Sequence, residues 1–371
     1  MSRFVRLCEI SSPTGEERAI ADAVRAELES FGLEVTEDDA AGPAGAGAGN
    51  LLTRIPAAPR EDGSDPGYVM FCAHLDTVPH DGPIKVVLDD EEVYRSAGDT
   101  ILGADNKAAV AVLMEMAARA AVDPPPIGLE LLFTVAEEQG LLGAKAFDQS
   151  LLRSKVGFVL DHATALGEVI TAAPTHIGIR ADFKGVEAHA GLTPESGRSA
   201  IAAAARAVSE MKLGRIDDET TANIGLISGG TSGNVIPGHC RVGGEARSVD
   251  PVRVTEVIAE MTDAMIWSAS ESGCEVDVVT SKHFTGYRVE EDSPALALAE
   301  EALQARGREP VRVTTGGGSD ANVFRERGMD CLLLANGTFD NHTADESVPR
   351  KNLSEMLAIC EEIVTLAGAR G

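Results

Sequence analysis

Basic side chains are scarce in this chain. Among 371 residues, 32 Lys and Arg stand against 59 Asp and Glu, a net charge of −27. Such a surface repels phosphate backbones and anionic lipid, which argues against nucleic acid or a membrane as partner and otherwise speaks of solubility rather than fold. Long apolar runs are missing too, none approaching the roughly 18 residues of a membrane span. The opening MSRFVRLCEISSPTGEER carries charge early and lacks the apolar block of a signal peptide. Six cysteines, at 8, 72, 240, 274, 331 and 360, include no Cys-x-x-Cys pair. Reduced, mostly buried thiols in a cytoplasmic protein are therefore expected, not disulfides or a thiolate metal site. No Gly-x-Ser-x-Gly turn offers a nucleophilic serine. The glycine run at 316–322, GGGSDAN, lacks both the Gly-Lys-Ser/Thr ending and the spacing of a phosphate loop. There is no internal repeat.

What is present is ordinary for a globular protein: 44% apolar residues, 25% charged and a mean hydropathy of −0.01, in a chain long enough for more than one domain. Residues 16–31 carry helical spacing (Ile20, Val24, Leu28, Phe31) closed by Gly32, and 40–49 is a Gly/Ala/Pro loop too short for a domain linker. From Tyr68 onward, apolar strands over 69–73, 129–136 and 156–160 alternate with helices over 106–121 and 142–147. Near-continuous apolar strands separated by helices predict an α/β fold with a mostly parallel sheet covered on both faces. The character changes near Ala173. Strands over 177–183, 223–227, 240–247 and 274–279, with helices over 199–211 and 251–270, give β-α-β-β-α-β, a ferredoxin-like α+β unit. After Tyr287 the first pattern resumes with helix 294–306, strands 311–314 and 331–334, and a helix from Leu353. The simplest organisation is a host domain over 1–173 and 286–371, interrupted by a compact insertion over 174–285.

Chemically suggestive residues gather where the host strands end. His74 and Asp76 close the segment Phe71-Cys-Ala-His74-Leu-Asp76, two residues apart and so on one side of an extended chain. An imidazole with a carboxylate in that relation suits metal binding. Asp105, in Gly103-Ala-Asp105-Asn-Lys, opens a long helix, where a carboxylate either caps the N-terminus or bridges metals. Glu137 and Glu138 follow the strand over 129–136 and read either as a solvated turn or as a metal ligand beside a proton-transfer base. Asp161 ends the strand over 156–160, and Asn341-His342-Thr-Ala-Asp-Glu346 lies beyond the last strand. In an open α/β sheet such strand ends meet at one crevice. Two histidines and three carboxylates suffice there for two four-coordinate divalent sites sharing one carboxylate and a water.

Taken in order, HLDTVP, GADNK, AEEQG, a strand ending in Asp161 and NHTADE resemble the di-zinc exopeptidase superfamily of peptidase T, carboxypeptidase G and acetylornithine deacetylase. The GADNK and AEE contexts are most similar to peptidase T-like proteins. The resemblance spans nearly the whole chain and implies a zinc-peptidase catalytic domain with an inserted lid and dimerisation domain. It implies two divalent metals per chain, zinc first, cobalt or manganese otherwise. His74 and Asp161 would hold one, Glu138 and His342 the other, with Asp105 between them. Glu137 would be the general base toward a metal-bridging water, and Asp76 would orient His74. Asn106 departs from the second Asp that peptidase T-like members often carry.

In the insertion, Glu187-Ala-His189-Ala-Gly191 resembles the lid histidine motif, so His189 would stabilise the tetrahedral oxyanion, often across a dimer interface. By the same resemblance Asn234, in GGTSGNVIP, and Arg247, in EARS, would contact substrate, the guanidinium fork suiting a carboxylate. Backbone amides of the 316–322 run, Gly318 among them, would line the substrate cleft. Residue types alone leave His189 a loop histidine and Arg247 a salt-bridged strand residue. Histidines 80, 162, 176, 239 and 283 have no partner spacing. The implied function is hydrolysis of an amide bond in a small peptide, of aminotripeptidase type, by a cytoplasmic homodimer using a metal-bound hydroxide. An N-acyl amino acid deacylase on the same scaffold is the alternative, and a non-catalytic binding protein is disfavoured by the intact Glu137–Glu138 pair.

Overall fold

The structure is a computed structural model and describes residues 2–370, which divide into two compact units. The host unit comprises residues 2–171, 289–314 and 319–370; the inserted unit comprises 172–288 together with the short segment 315–318. Before the insertion come β1 (Val35–Glu37), β2 (Leu51–Ile55), β3 (Tyr68–His74), β4 (Gly128–Thr134), β5 (Val156–His162) and β6 (Glu168–Ala173). The insertion carries β7 (Thr175–Lys184), β8 (Gly214–Asp217), β9 (Thr220–Gly229), β10 (His239–Ser248) and β11 (Glu275–Phe284). The host resumes with β12 (Val311–Thr314) and β13 (Asp330–Ala335). The principal helices are α1 (Arg18–Ser30), α2 (Ala104–Val122), α3 (Ala200–Glu210), α4 (Pro251–Glu271), α5 (Pro294–Ala305) and α6 (Arg350–Arg370).

The host sheet runs β1-β2-β4-β3-β5-β13-β6, with β12 also paired to β6. Its four central strands are parallel. They bury residues on both faces, Val69 to Ala73 and Leu129 to Phe133 among them, and Phe71 stacks on Phe158 with centroids 5.4 Å apart. That explains the near-continuous apolar runs. The flanks are antiparallel. Only residues 163–167 separate β5 from β6, too few for a crossover, so the chain turns back. Helix α2 packs on β3 and α6 and is buried nearly all round, as its Ala/Val/Met sequence requires.

The inserted sheet is antiparallel in the order β8-β9-β10-β7-β11. Strands β9, β10, β7 and β11 with α3 and α4 form the expected ferredoxin-like unit. The extra edge strand β8, Gly-Arg-Ile-Asp, holds one apolar residue and gives no strand signal. Helices α3 and α4 cover one face, burying Ile179, Ala181 and Phe183 of β7 and Cys240, Val242 and Ala246 of β10. Each helix is capped by a side-chain oxygen, Ser199 accepting from Ala202 N and Asp250 from Val252 N and Arg253 N. Each such cap contributes about 1 kcal/mol. All six cysteines are free thiols. No helix among the described residues is long and apolar enough to cross a membrane.

Candidate metal centre

The carboxyl ends of the parallel strands bring together the residues singled out in the host unit. His74 is the last residue of β3, Asp161 lies near the end of β5, Glu137 and Glu138 follow β4, His342 follows β13, and Asp105 sits at the start of α2. His74 Nε2 lies 3.2 Å from Asp105 Oδ1 and 3.3 Å from Asp161 Oδ1. His342 Nε2 lies 3.1 Å from Asp105 Oδ2 and 2.9 Å from Glu138 Oε1. Asp105 therefore turns one carboxylate oxygen to each histidine. Donor atoms of His74, Asp105 and Glu138, and likewise of His74, Glu137 and Asp161, lie within 4.8 Å of one another.

Local backbone explains this convergence. Strands β3 and β4 pair with His74 opposite Thr134, so the turn after β4 emerges beside His74. Ala136 (φ 50°) and His342 (φ 66°) are non-glycine residues in the left-handed region, a strain of roughly 1–3 kcal/mol each that recurs where geometry serves a site. Asp105 does not serve as a helix cap: its carboxylate oxygens are taken up by His74 Nε2 and His342 Nε2. Its loop is instead latched by Glu346, which is 1% exposed and accepts from Gly103 N at 2.7 Å and Asp105 N at 2.8 Å. Asn106 donates from Nδ2 to Asp161 Oδ1 at 3.3 Å.

Asp76 touches more than the His74 the sequence expectation gave it. Its fully buried carboxylate accepts from Glu137 N (3.0 Å), Glu138 N (3.2 Å) and Thr14 Oγ1 (2.7 Å). It thereby anchors the turn that carries both glutamates. His74 Nδ1 lies 3.5 Å from that carboxylate but 2.9 Å from the Asp76 main-chain oxygen. A carbonyl can only accept, so Nδ1 carries a proton, and Nε2 is the nitrogen whose lone pair a cation would take on displacing the second proton.

The electrostatics fit divalent cations. Burial and then Asp161 push Glu137 well above the usual carboxylate range, and burial raises Asp161 to about 7 against the pull of His74. Burial opposes the imidazolium of His74, yet Asp161, Asp105 and Asp76 hold it well above its usual value. The hydrogen bond to Asp105 and then the Glu138 carboxylate beside it raise His342 to about 10. Asp105 is held far below its usual range, burial being outweighed by the two histidines. Protons here do what a metal's charge would do, and a bound cation would displace them. Glu138 Oε1 is buried and makes no aligned hydrogen bond, as suits an atom placed to ligate.

In the inserted unit the singled-out residues fall into two groups. His189 and Asn234 lie together, His189 pairing with Val235 in a two-stranded ladder (Ala188–His189 with Val235–Ile236). His189 Nδ1 accepts from Gly191 N at 3.2 Å, and Asn234 Oδ1 accepts from Ser232 Oγ at 2.7 Å. Arg247 lies on β10, where Nε and Nη2 grip Glu245 at 2.9 and 3.1 Å while Nη1 donates to Gly316 O at 3.2 Å. His176 Nε2 lies 2.8 Å from Glu245 Oε2, and its ring stacks on His283 with centroids 4.5 Å apart. Neither histidine could be paired from spacing, because their partners come from three strands. Gly318 is glycine for a local reason, since a Cβ would come within 2.2 Å of the Phe284 ring.

Sequence reading passed over Glu346, Thr14 and Asp320. Asp320 is 1% exposed, accepts from Thr134 Oγ1 at 2.6 Å through Oδ2, and has no partner for Oδ1. Glu346 and Asp320 had a signal in their places inside the NHTADE and GGGSDAN runs, and Thr14 had none. A site of this composition can hold two cations, activate water and move a proton through a raised carboxylate.

Comparison with known proteins agrees with this chemistry. Two family models match: a peptidase dimerisation domain over residues 171–271, and peptidase family M28 over residues 50–189. Peptidases of these families are typically dinuclear metal enzymes. The uncharacterized protein YqjE of Bacillus subtilis is 35% identical over 99% of this chain and 96% of its own length. The crystal structure of aminopeptidase PepT from Bacillus cereus is similar at 37% identity, covering 99% of this chain and 97% of that one, with a TM-score of 0.87. A tripeptidase from Staphylococcus aureus is similar at 32% identity with the same coverage and a TM-score of 0.92.

Proposed function

The chain belongs to the family of peptidase T-like metallopeptidases, and from that premise we propose that it is an exopeptidase acting on small peptides, of aminotripeptidase type, at a centre for two divalent metals. The observation that carries this reading is the shared carboxylate of Asp105, one oxygen toward His74 and the other toward His342. His74 and Asp161 would hold one cation, Glu138 and His342 the other, and Asp105 both. The cations, zinc in this reading with cobalt or manganese also suited to the donors, supply Lewis acidity that polarises the scissile carbonyl and acidifies water.

The protein's own part is to place and move protons. Glu137, held by its main-chain N–H on Asp76, takes a proton from the attacking water and returns it to the leaving amine nitrogen. Asp76 fixes that carboxylate, and its main-chain oxygen sets the tautomer of His74. Glu346 holds the Asp105 loop. To the inserted unit the reading gives His189, as donor to the developing oxyanion, and Asn234, Arg247 and Gly318 as substrate contacts. It places the protein in the cytoplasm as a homodimer, the region at 171–271 being similar to a dimerisation domain. The host and inserted domains are taken as 1–173 with 286–371, and 174–285.

The test is Glu137→Gln assayed on tripeptides, dipeptides and N-acyl amino acids with zinc, cobalt or manganese supplied. Hydrolysis should fall by roughly 100- to 10,000-fold while two metals per chain are retained. Unchanged turnover removes Glu137 as the base, and cleavage of N-acyl amino acids alone would make the enzyme a deacylase.

A further inference from the structure

The open face of the inserted sheet has a gap that its fold does not require. Along β10, Cys240, Val242 and Ala246 point beneath α3 and α4, so Arg241, Gly243 and Glu245 point the other way. Register aligns one row across four strands: Leu226 of β9, Gly243 of β10, Arg180 of β7 and Val279 of β11. Neighbours in such a row stand about 5 Å apart, so Leu226 and Arg180 flank a position with no side chain. Leu226 and Val279 are 74% and 52% exposed. The row floors a cavity of about 590 Å³, a size typical of small-ligand sites.

Two neighbouring glycines, Gly178 and Gly244, have structural reasons that Gly243 lacks. A Cβ on Gly178 would meet His283 Nε2 at 2.7 Å, and one on Gly244 would meet the Asn223 carbonyl oxygen at 2.2 Å. At Gly243 the nearest atom would be Leu226 Cβ at 3.5 Å, an ordinary contact, and φ is not positive. Glycine inside a strand lowers stability and packs nothing; such positions mark close approach of a ligand or another backbone. Beside it, the Nε of Arg180 reaches Asp182 only at 3.6 Å. That carboxylate already receives Arg241 Nε at 2.7 Å and His239 Nε2 at 3.2 Å. The Arg180 fork is therefore open to a carboxylate from solution, a local cation on a chain of net charge −27.

We propose that this row is a binding site for a carboxylate bearing an apolar side chain, as at the C-terminal residue of a short peptide. The carboxylate sits on the Arg180 fork and the side chain lies over Gly243 against Leu226. Identifying the ligand as a peptide end rests on the peptidase reading; the site itself stands on the inserted unit alone.

The experiment titrates Ala-Ala-Leu, Ala-Ala-Ala and Ala-Ala-Leu amide into the metal-loaded Glu137→Gln protein by calorimetry. The free leucine peptide should bind at least about tenfold more tightly than either of the others. Adding Gly243→Val should erase the preference for leucine, and adding Arg180→Gln the preference for the free carboxylate. Gly243→Val puts a strand-favouring residue where a Cβ fits, so its melting temperature should be no lower, which separates a filled site from a damaged fold. Preferences that survive both substitutions, or no preference in the parent, overturn the proposal. If the enzyme with Glu137 intact cleaves none of these peptides while the preferences behave as stated, the peptidase reading fails and the site stands. Cleavage with preferences unmoved by the substitutions gives the reverse.

Discussion

Asp76→Asn exchanges one oxygen of a fully buried carboxylate for an NH2 group. In the parent, Oδ1 accepts from Glu137 N while Oδ2 accepts from Glu138 N and Thr14 Oγ1. Asn keeps the most by placing its oxygen where Oδ2 was, which leaves Glu137 N facing two donor hydrogens. One charge-assisted hydrogen bond is lost and a buried N–H goes unpaired, together roughly 3 kcal/mol. The turn then relaxes, and a shift near 1 Å in a proton-transferring carboxylate lowers kcat on the order of a hundredfold. His74 keeps its orientation, because Nδ1 donates to the Asp76 main-chain oxygen, which the substitution does not alter. Urea unfolding should therefore show a loss of roughly 3 kcal/mol. Steady-state assays should show the fall in kcat, and metal analysis should give the parent's content. A variant that loses metal yet keeps full kcat per bound metal would place the carboxylate's work at His74 and refute the reasoning. So would a stability change within about 0.5 kcal/mol.

Glu346→Gln leaves either Gly103 N or Asp105 N without an acceptor, so metal affinity should drop roughly 10- to 100-fold in a metal-buffered titration; an unchanged affinity would sever Glu346 from the centre. In the inserted unit, the hydrogen bond from His176, with further help from Arg247, holds Glu245 down at about 2 against the effect of burial. Its folded pKa lies below the unfolded value near 4.3, so its contribution is present above about pH 4.5 and is lost as pH falls toward 2. The side chain is 35% exposed, which keeps that contribution under about 1 kcal/mol. Glu245→Gln should make acid unfolding shallower than the parent's across that window, and parallel curves would count against it.

The residues drawn together at the metal centre were legible because each ends, follows or faces an apolar strand and lies within its own short motif. A parallel sheet then does the gathering without further instruction. The further partners of Asp76 were hidden by the same logic. Alternation was extended two residues past His74, but β3 stops at His74, and beyond it the chain is free to aim Asp76 at the 137–138 turn. Thr14 and Glu346 act on partners 62 and 241 or more residues away, a distance no local pattern encodes. The His176–Glu245–Arg247 contacts depend on the register of β7 and β10, as does the row through Gly243. Register within an antiparallel sheet is set by turns and core packing, not by the composition of any one strand. The antiparallel flanks of the host sheet were hidden for a related reason, since buried strands read alike whichever way they run.

The place of β13 between β5 and β6 bears on how the protein is made. When the ribosome has finished β5, that strand has β3 on one side and nothing on the other, and its proper neighbour begins only at Asp330. Roughly 170 residues must be added first, which at 5–20 residues per second takes on the order of ten to thirty seconds. The inserted unit, with its own core, can fold within that interval. The nascent host unit meanwhile presents an apolar edge, the kind of surface on which chains pair wrongly and chaperones act, until its own last strand arrives.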